Sequence, residues 1–264
     1  MTAAARPSSN IGQVFEHRYL QYRRTFRSTL FTSFLTPILF LTAMGLGLGS
    51  YVSNSATLGG VPYIVFLAPG LLAATAMQTG TFEATFPIMS GLVWSRIFHA
   101  MYATPISARD IALGNLAWMA ARLTLICTVF TIVIVLFGAA HSPLIVLAIP
   151  AGVLTGMAFA APIAAFSATQ KTPNKFTAIF RFGITPLFLF SGTFFPVSSL
   201  PIALQAVGWL TPLYHGVALT RGLSFGTAFD DPIVALIHVA VLVGFAGVGT
   251  WAAIRMVGQK LVRG

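Results

Sequence analysis

Long apolar runs constrain this chain more than any other feature. About 20 residues of helix are needed to cross a hydrocarbon core of about 30 Å. Six segments reach or approach that length: Leu30–Val52, Val61–Phe86, Ile111–Gly138, Pro143–Ala168, Phe176–Thr193 and Pro232–Met256. None alternates apolar and polar residues with period two, as the strands of a membrane barrel do. Composition agrees. Hydrophobic residues make up 56% of the 264 and charged residues only 8%. So few charges cannot keep the surface of a soluble domain wet. A soluble enzyme, a disordered tail and a disulfide scaffold are thereby excluded. The expected fold class is an all-α integral membrane protein with six transmembrane helices.

The formal net charge is +10, but the basic residues form no single patch, so no nucleic-acid partner is expected. They fall between the apolar runs, where they act as topology signals. Arg6, Arg18, Arg23, Arg24 and Arg27 precede the first run. Arg96 and Arg109 lie in the second connection, Lys171 and Lys175 in the fourth, and Arg181 just inside the fifth run. Arg255, Lys260 and Arg263 close the chain. Six crossings put all of these on one side and leave only Arg221, with Asp230 and Asp231, on the other. The expectation is a multi-pass protein of the plasma (inner) membrane with both termini in the cytoplasm. The first apolar run is longer than the core of a signal peptide and follows a polar, Arg-rich arm, so it is expected to be a permanent span.

Prolines 37, 69, 162 and 186 fall within these runs, where neighbouring helices can satisfy the freed carbonyls. Gly152, Gly156, Ala160 and Ala164 recur every four residues. Such a small-residue stripe permits close helix packing, or a helix that flexes. The single cysteine, Cys127, excludes an intrachain disulfide and reads as a small buried hydrophobe.

Three segments are structured without spanning. In Ser8–Ser28, Ile11, Val14, Phe15, Tyr19, Tyr22 and Phe26 recur at helical steps among arginines. This predicts an amphipathic helix on the inner membrane surface, serving as a lipid anchor or as a docking surface. In Pro87–Gly114, Trp94, Ile97, Phe98, Met101 and Tyr102 form a stripe at helical spacing. Thr104-Pro105 ends that helix, and Ser107 can cap the next one, with Asp110 in its first turn. The result is a compact cytoplasmic knob, or else a plain helical linker. In Gly192–Asp231, Ser199-Leu200-Pro201 and Leu210-Thr211-Pro212 each resemble a helix start. The stretches between them are too short to span and fit a re-entrant hairpin in the outer leaflet. Trp209 and Tyr214 suit the interface level.

Phosphate-loop and metal motifs are missing from the sequence. No GxxxxGK[ST] loop, HExxH or CxxC occurs. His17, His99, His141, His215 and His238 are scattered along it, and no metal site is expected. Glu83 and Arg122 are the ionisable residues most clearly inside spans. A helix rise of about 1.5 Å per residue and the lean of side chains toward their helix N-termini let the two converge. Pairing is one reading. The other has Arg122 facing a watery cavity and Glu83 reaching the inner interface.

Three stretches carry a resemblance that extends over essentially the whole chain: Leu35–Val52 (LTPILFLTAMGLGLGSYV), Trp94–Gly114 (WSRIFHAMYATPISARDIALG) and Ser191–Arg221 (SGTFFPVSSLPIALQAVGWLTPLYHGVALTR). Their combination resembles the permease subunits of ABC-2 type exporters, above all those of nodulation lipo-oligosaccharide and daunorubicin-type drug exporters. The resemblance implies a cytoplasmic arm with an interface helix over 1–29, a six-span domain over 30–256 and a cytoplasmic tail over 257–264. Within the domain it implies a coupling helix in segment 87–110 and an extracellular re-entrant hairpin over 193–231. It implies a membrane-spanning subunit that is not itself an enzyme and moves an amphiphilic substrate outward: a glycolipid, a lipo-oligosaccharide or a hydrophobic drug. ATP and Mg would be bound by a separate cytoplasmic ABC ATPase present in two copies. The other partners would be a second permease, identical or homologous, and membrane lipid. By position, ATPase coupling would fall to Arg96, Phe98, His99, Ala103, Thr104, Pro105, Ser107, Arg109 and Asp110. An extracellular gate would comprise Phe194, Phe195, Pro196, Pro201, Trp209, Pro212, Tyr214 and Arg221. The competing class is a stand-alone channel, carrier or membrane enzyme without an ATPase partner.

Overall fold

The computed structural model describes residues 10–24, 26, 35, 37–48 and 61–263. The first expected span, Leu30–Val52, lies partly outside the described residues, as do Arg6 and Arg27. Among the described residues there is no strand.

Helix α1 (Ile11–Arg23) is followed by α2 (Leu41–Leu48), a π-helical stretch. Helix α3 (Tyr63–Met89) loosens into a π turn at Ser90–Trp94. A short α4 (Ile97–Tyr102) leads to α5 (Ala108–Leu136). Helix α6 (Ala148–Thr169) is entered through a 3-10 turn, Pro143–Leu147. Then α7 (Asn174–Ala178) runs through a π stretch, Ile179–Ile184, into α8 (Thr185–Phe190). Two short helices, α9 (Ile202–Trp209) and α10 (Pro212–Phe225), precede α11 (Pro232–Arg263). Asp231 caps α11 by accepting from the N–H groups of Ile233 and Val234 at 3.1 and 3.2 Å.

Four helical segments are long and apolar enough to cross a membrane: Tyr63–Trp94, Ala108–Leu136, Pro143–Thr169 and Pro232–Arg263. They coincide with four of the six expected runs. The fifth run is helical too, but it is assembled from α7, the π stretch and α8. At about 1.5 Å per residue it is roughly 25 Å long.

Helix α6 is the hub and packs against α3, α5, α10 and α11. Its small-residue stripe explains why. A Cβ on Gly156 would lie 2.7 Å from Leu123 Cδ1 and 2.9 Å from the Ala76 carbonyl oxygen. One on Gly152 would lie 2.6 Å from Leu72 Cδ2 and 2.8 Å from Cys127 Sγ. The backbones of α3, α5 and α6 thus approach to distances no larger residue permits, and dispersion between them is correspondingly strong. Pro162 of α6 fits against Gly249 of α11 in the same manner. The opposite face of α11 is bare: Ile233, Leu236, Ile237, Val248 and Trp251 are exposed. In water such a stripe would drive association, whereas in a bilayer it suits lipid or another apolar helix.

Candidate functional site

The knob begins at Arg96, whose φ of 50° is left-handed. A non-glycine residue there costs about 1–2 kcal/mol, which the surrounding packing must offset. The turn redirects the chain so that Phe98, the second residue of α4, points back into the core. Phe98 is 1% exposed and belongs to a buried cluster with Ile88, Leu92, Ile111 and Val14. Its ring occupies the space where Gly91 has no side chain. Beyond α4, the Thr104 hydroxyl donates to the Met101 carbonyl at 2.6 Å. Ser107 and Asp110 then form a reciprocal capping box. The Asp110 N–H donates to Ser107 Oγ at 3.1 Å, and the Ser107 N–H donates to Asp110 Oδ2 at 3.2 Å. Asn10 Nδ2 donates to the Pro105 carbonyl at 3.0 Å, tying the start of α1 to the knob.

These anchors leave a defined tip. Arg96, Tyr102, Ala103, Thr104, Pro105, Ser107 and Arg109 are exposed, while His99 and Asp110 are half-buried. The stripe expected along one face is divided. Phe98 faces inward, while Trp94 at 55% and Tyr102 at 40% exposure face outward.

Behind the knob lies a polar cluster between α1, α3 and α5. Arg122 Nη2 is 3.5 Å from Glu83 Oε1, with the two side chains 16% and 13% exposed. The Arg122 guanidinium also sits 4.7 Å from the Tyr22 ring centroid. Arg18, four residues earlier on α1, turns inward beside it. Arg18 Nε donates to Asn115 Oδ1 at 2.7 Å and Nη2 to the Pro87 carbonyl at 3.3 Å. Asn115 in turn donates from Nδ2 to Ile111 O at 2.7 Å. Burial pushes the Arg18 guanidinium below its ordinary pKa, and Glu83 pushes it back up. The amphipathic pattern of the arm placed Arg18 on the polar face. Its inward turn had one sequence trace, the polar Asn115 within an apolar run. The cluster lines a cavity of about 530 Å³.

On the far side, α9 and α10 form a helical hairpin. Pro212 opens α10 at its first turn and is buried. Arg221 reaches out of α10, donating from Nη2 to Gly192 O at 2.8 Å and from Nε to Phe66 O at 3.3 Å, with its guanidinium 3.8 Å from the Phe66 ring centroid. Thr220 donates to Pro69 O at 2.9 Å. These bonds hold α10 against the proline-containing part of α3. Phe194 packs edge-on against Phe188 at 5.0 Å and lies 6.2 Å from Phe40 of the first apolar run. Phe195 and Pro196 are half-buried, and Pro201 and Trp209 are exposed.

Two histidines that look unrelated in sequence meet here. His215 and His238 bring their Nδ1 atoms to 2.7 Å, and His215 Nε2 lies 3.0 Å from the Trp209 carbonyl. A carbonyl only accepts, so His215 donates from Nε2; with His215 neutral its Nδ1 accepts and His238 donates. Tyr214 stands edge-on to both rings. Among the described residues no group of three metal-ligating side chains occurs.

The model of the family described as ABC-2 type transporter matches residues 10–225. Relatives span nearly the full chain. Nodulation protein J of Rhizobium leguminosarum bv. viciae is 30% identical over 251 residues, covering 95% of this chain and 94% of that protein. Nodulation protein J of Sinorhizobium fredii is 31% identical over 239 residues, covering 89% and 90%. Nodulation protein J of Rhizobium leguminosarum bv. trifolii is 29% identical over 264 residues, covering 100% and 98%.

Proposed function

The chain belongs to the ABC-2 type transporter family, and from that premise we propose that it is the permease of an ATP-driven exporter that moves an amphiphile outward across the inner membrane. The observation that carries this reading is the knob. Its exposed tip is held rigidly to α3 through Phe98 and to α5 through the capping box. A push on Tyr102–Arg109 therefore moves two long helices together rather than bending a loop. Two cytoplasmic ATPases, which bind ATP and Mg, would supply the push. Two permeases would face each other across the path.

Six crossings follow in this reading. The first apolar run and the α7–α8 run join the four long helices, placing the knob, both termini and the α6–α7 turn in the cytoplasm. The distribution of basic residues supports that orientation. The domain limits are those of the sequence: arm 1–29, spans 30–256 and tail 257–264. The α9–α10 hairpin then faces outward and serves as the gate, pinned by Arg221 and Thr220. The apolar spans suit an amphiphilic cargo such as a glycolipid, a lipo-oligosaccharide or a hydrophobic drug. Alternating exposure requires that ATP-bound and ATP-free states make different contacts. The knob, seated on the ATPases, is where that difference enters.

The test is co-expression with a candidate ATPase subunit, purification through a tag on the permease, and ATP turnover in proteoliposomes. The reading predicts a stable complex whose turnover depends on the permease. A permease that purifies alone and transports without ATP would overturn it in favour of a carrier or channel.

A further inference from the structure

The polar cavity behind the knob does not end at the Glu83–Arg122 pair. Tyr22, Trp118 and Arg122 line both it and a second cavity of about 510 Å³, whose other walls are Phe15, Tyr19, Phe26, Ala121 and Leu125 with Arg23 at its edge. One chamber sets Arg18, Arg122, Glu83 and Gln21 among aromatic walls, and the other is aromatic and aliphatic. They share a wall at a guanidinium. Charge is not balanced across them. Arg18, Arg23 and Arg122 face the chambers against the single carboxylate of Glu83. Arg122 Nε is buried without a hydrogen-bond partner among the described residues. Surplus positive charge at this depth calls for an anion or water.

We propose that the two chambers bind one resident anionic phospholipid of the inner leaflet, its phosphate beside Arg122 and Arg18 and an acyl chain along Phe15, Tyr22, Phe26 and Leu125. A resident lipid fits better than cargo because, among the described residues, the chambers open onto no path toward the opposite side. Their walls come from α1, α3, α4, α5 and the residues linking them. Farther along α3 and α5 the contact with α6 is closed, with Ala76 and Leu123 fully buried and Gly156 packed against both. The lipid would cement α1 to α5 and so stiffen the platform that carries the knob. This goes beyond the exporter reading and needs no ATPase to test.

The probe is Trp118, which lines both chambers. Trp94→Phe, Trp209→Phe and Trp251→Phe leave it as the sole tryptophan. This parent is placed in phosphatidylcholine nanodiscs doped with phosphatidylglycerol or phosphatidylcholine brominated on the acyl chains. The phosphatidylglycerol should quench Trp118 at about fivefold lower mole fraction than the phosphatidylcholine. Arg122→Gln and, separately, Ala121→Phe, which fills the aromatic chamber and leaves every charge in place, should each remove that preference. Arg24→Gln, an exposed charge outside the chambers, should keep it. Equal quenching by the two lipids in the parent, or a preference that survives Ala121→Phe, would overturn the site. So would its loss in Arg24→Gln, which marks general attraction to a basic protein. If Arg122→Gln does not fold, Ala121→Phe decides alone.

Discussion

A guanidinium at the depth of Arg122 is tolerable only with a counter-charge or water, since an unpaired one at a helix centre costs at least ~2.5–3.5 kcal/mol on insertion scales. Glu83 supplies the counter-charge at 3.5 Å. Glu83→Arg or Arg122→Glu should therefore lower folded yield or transport sharply, because each leaves two like charges facing. The double swap should recover part of the loss. Fluorescence-detected size exclusion of tagged variants measures the yield, and a double variant no better than the worse single would refute the pairing. Among the described residues, the Arg221 guanidinium donates to two carbonyls, those of Gly192 and Phe66. Arg221→Leu removes both donors and should lower the thermal unfolding midpoint while leaving insertion intact. An unchanged midpoint would mean the hairpin is held by apolar packing alone.

Between Gly91 and Asp110 the knob separates two kinds of residue that sequence periodicity treats alike. Phe98 holds the element, and Phe98→Ala should destabilise by about 3–5 kcal/mol, as large buried truncations do. Ser107→Ala removes one cap and should cost about 1 kcal/mol. Arg109→Glu, exposed at the tip, should leave stability unchanged but abolish permease-stimulated ATP turnover. Equal loss of stability in Phe98→Ala and Arg109→Glu, by thermal unfolding, would refute that division. Sequence alone revealed the Ser107 cap with Asp110 in the first turn, the Thr104-Pro105 break and the starts of both short helices α9 and α10, because those signals are local. It did not reveal the inward turns of Phe98 and Arg18 or the meeting of His215 with His238. Each depends on a neighbour distant in sequence, such as Asn115 for Arg18, and periodicity says which face is apolar but not which element covers it. The left-handed Arg96 that redirects α4 carries no sequence mark at all, since glycine or asparagine is the usual occupant of that conformation.

Across the whole molecule, apolar length foretold the four long helices well, and the small-residue stripe foretold close packing on α6, though not that α6 is the hub. The fifth run was harder to read, because one π stretch, Ile179–Ile184, and Pro186 divide its helix. The arrangement predicts a topology. Single cysteines at Ser107 and Thr172, in a Cys127→Ser background, should react with an impermeant maleimide only after lysis, and one at Thr227 should react in intact cells. Labelling of Ser107 in intact cells would invert the molecule. The central claim is that the knob is where a cytoplasmic ATPase drives these helices. A benzophenone maleimide attached at Thr104→Cys in that background, irradiated in membranes containing the ATPase, tests it most directly. The account predicts a covalent permease–ATPase adduct from Thr104 and none from Thr227. An adduct from Thr227, or none from Thr104 when the two proteins co-purify, would contradict it.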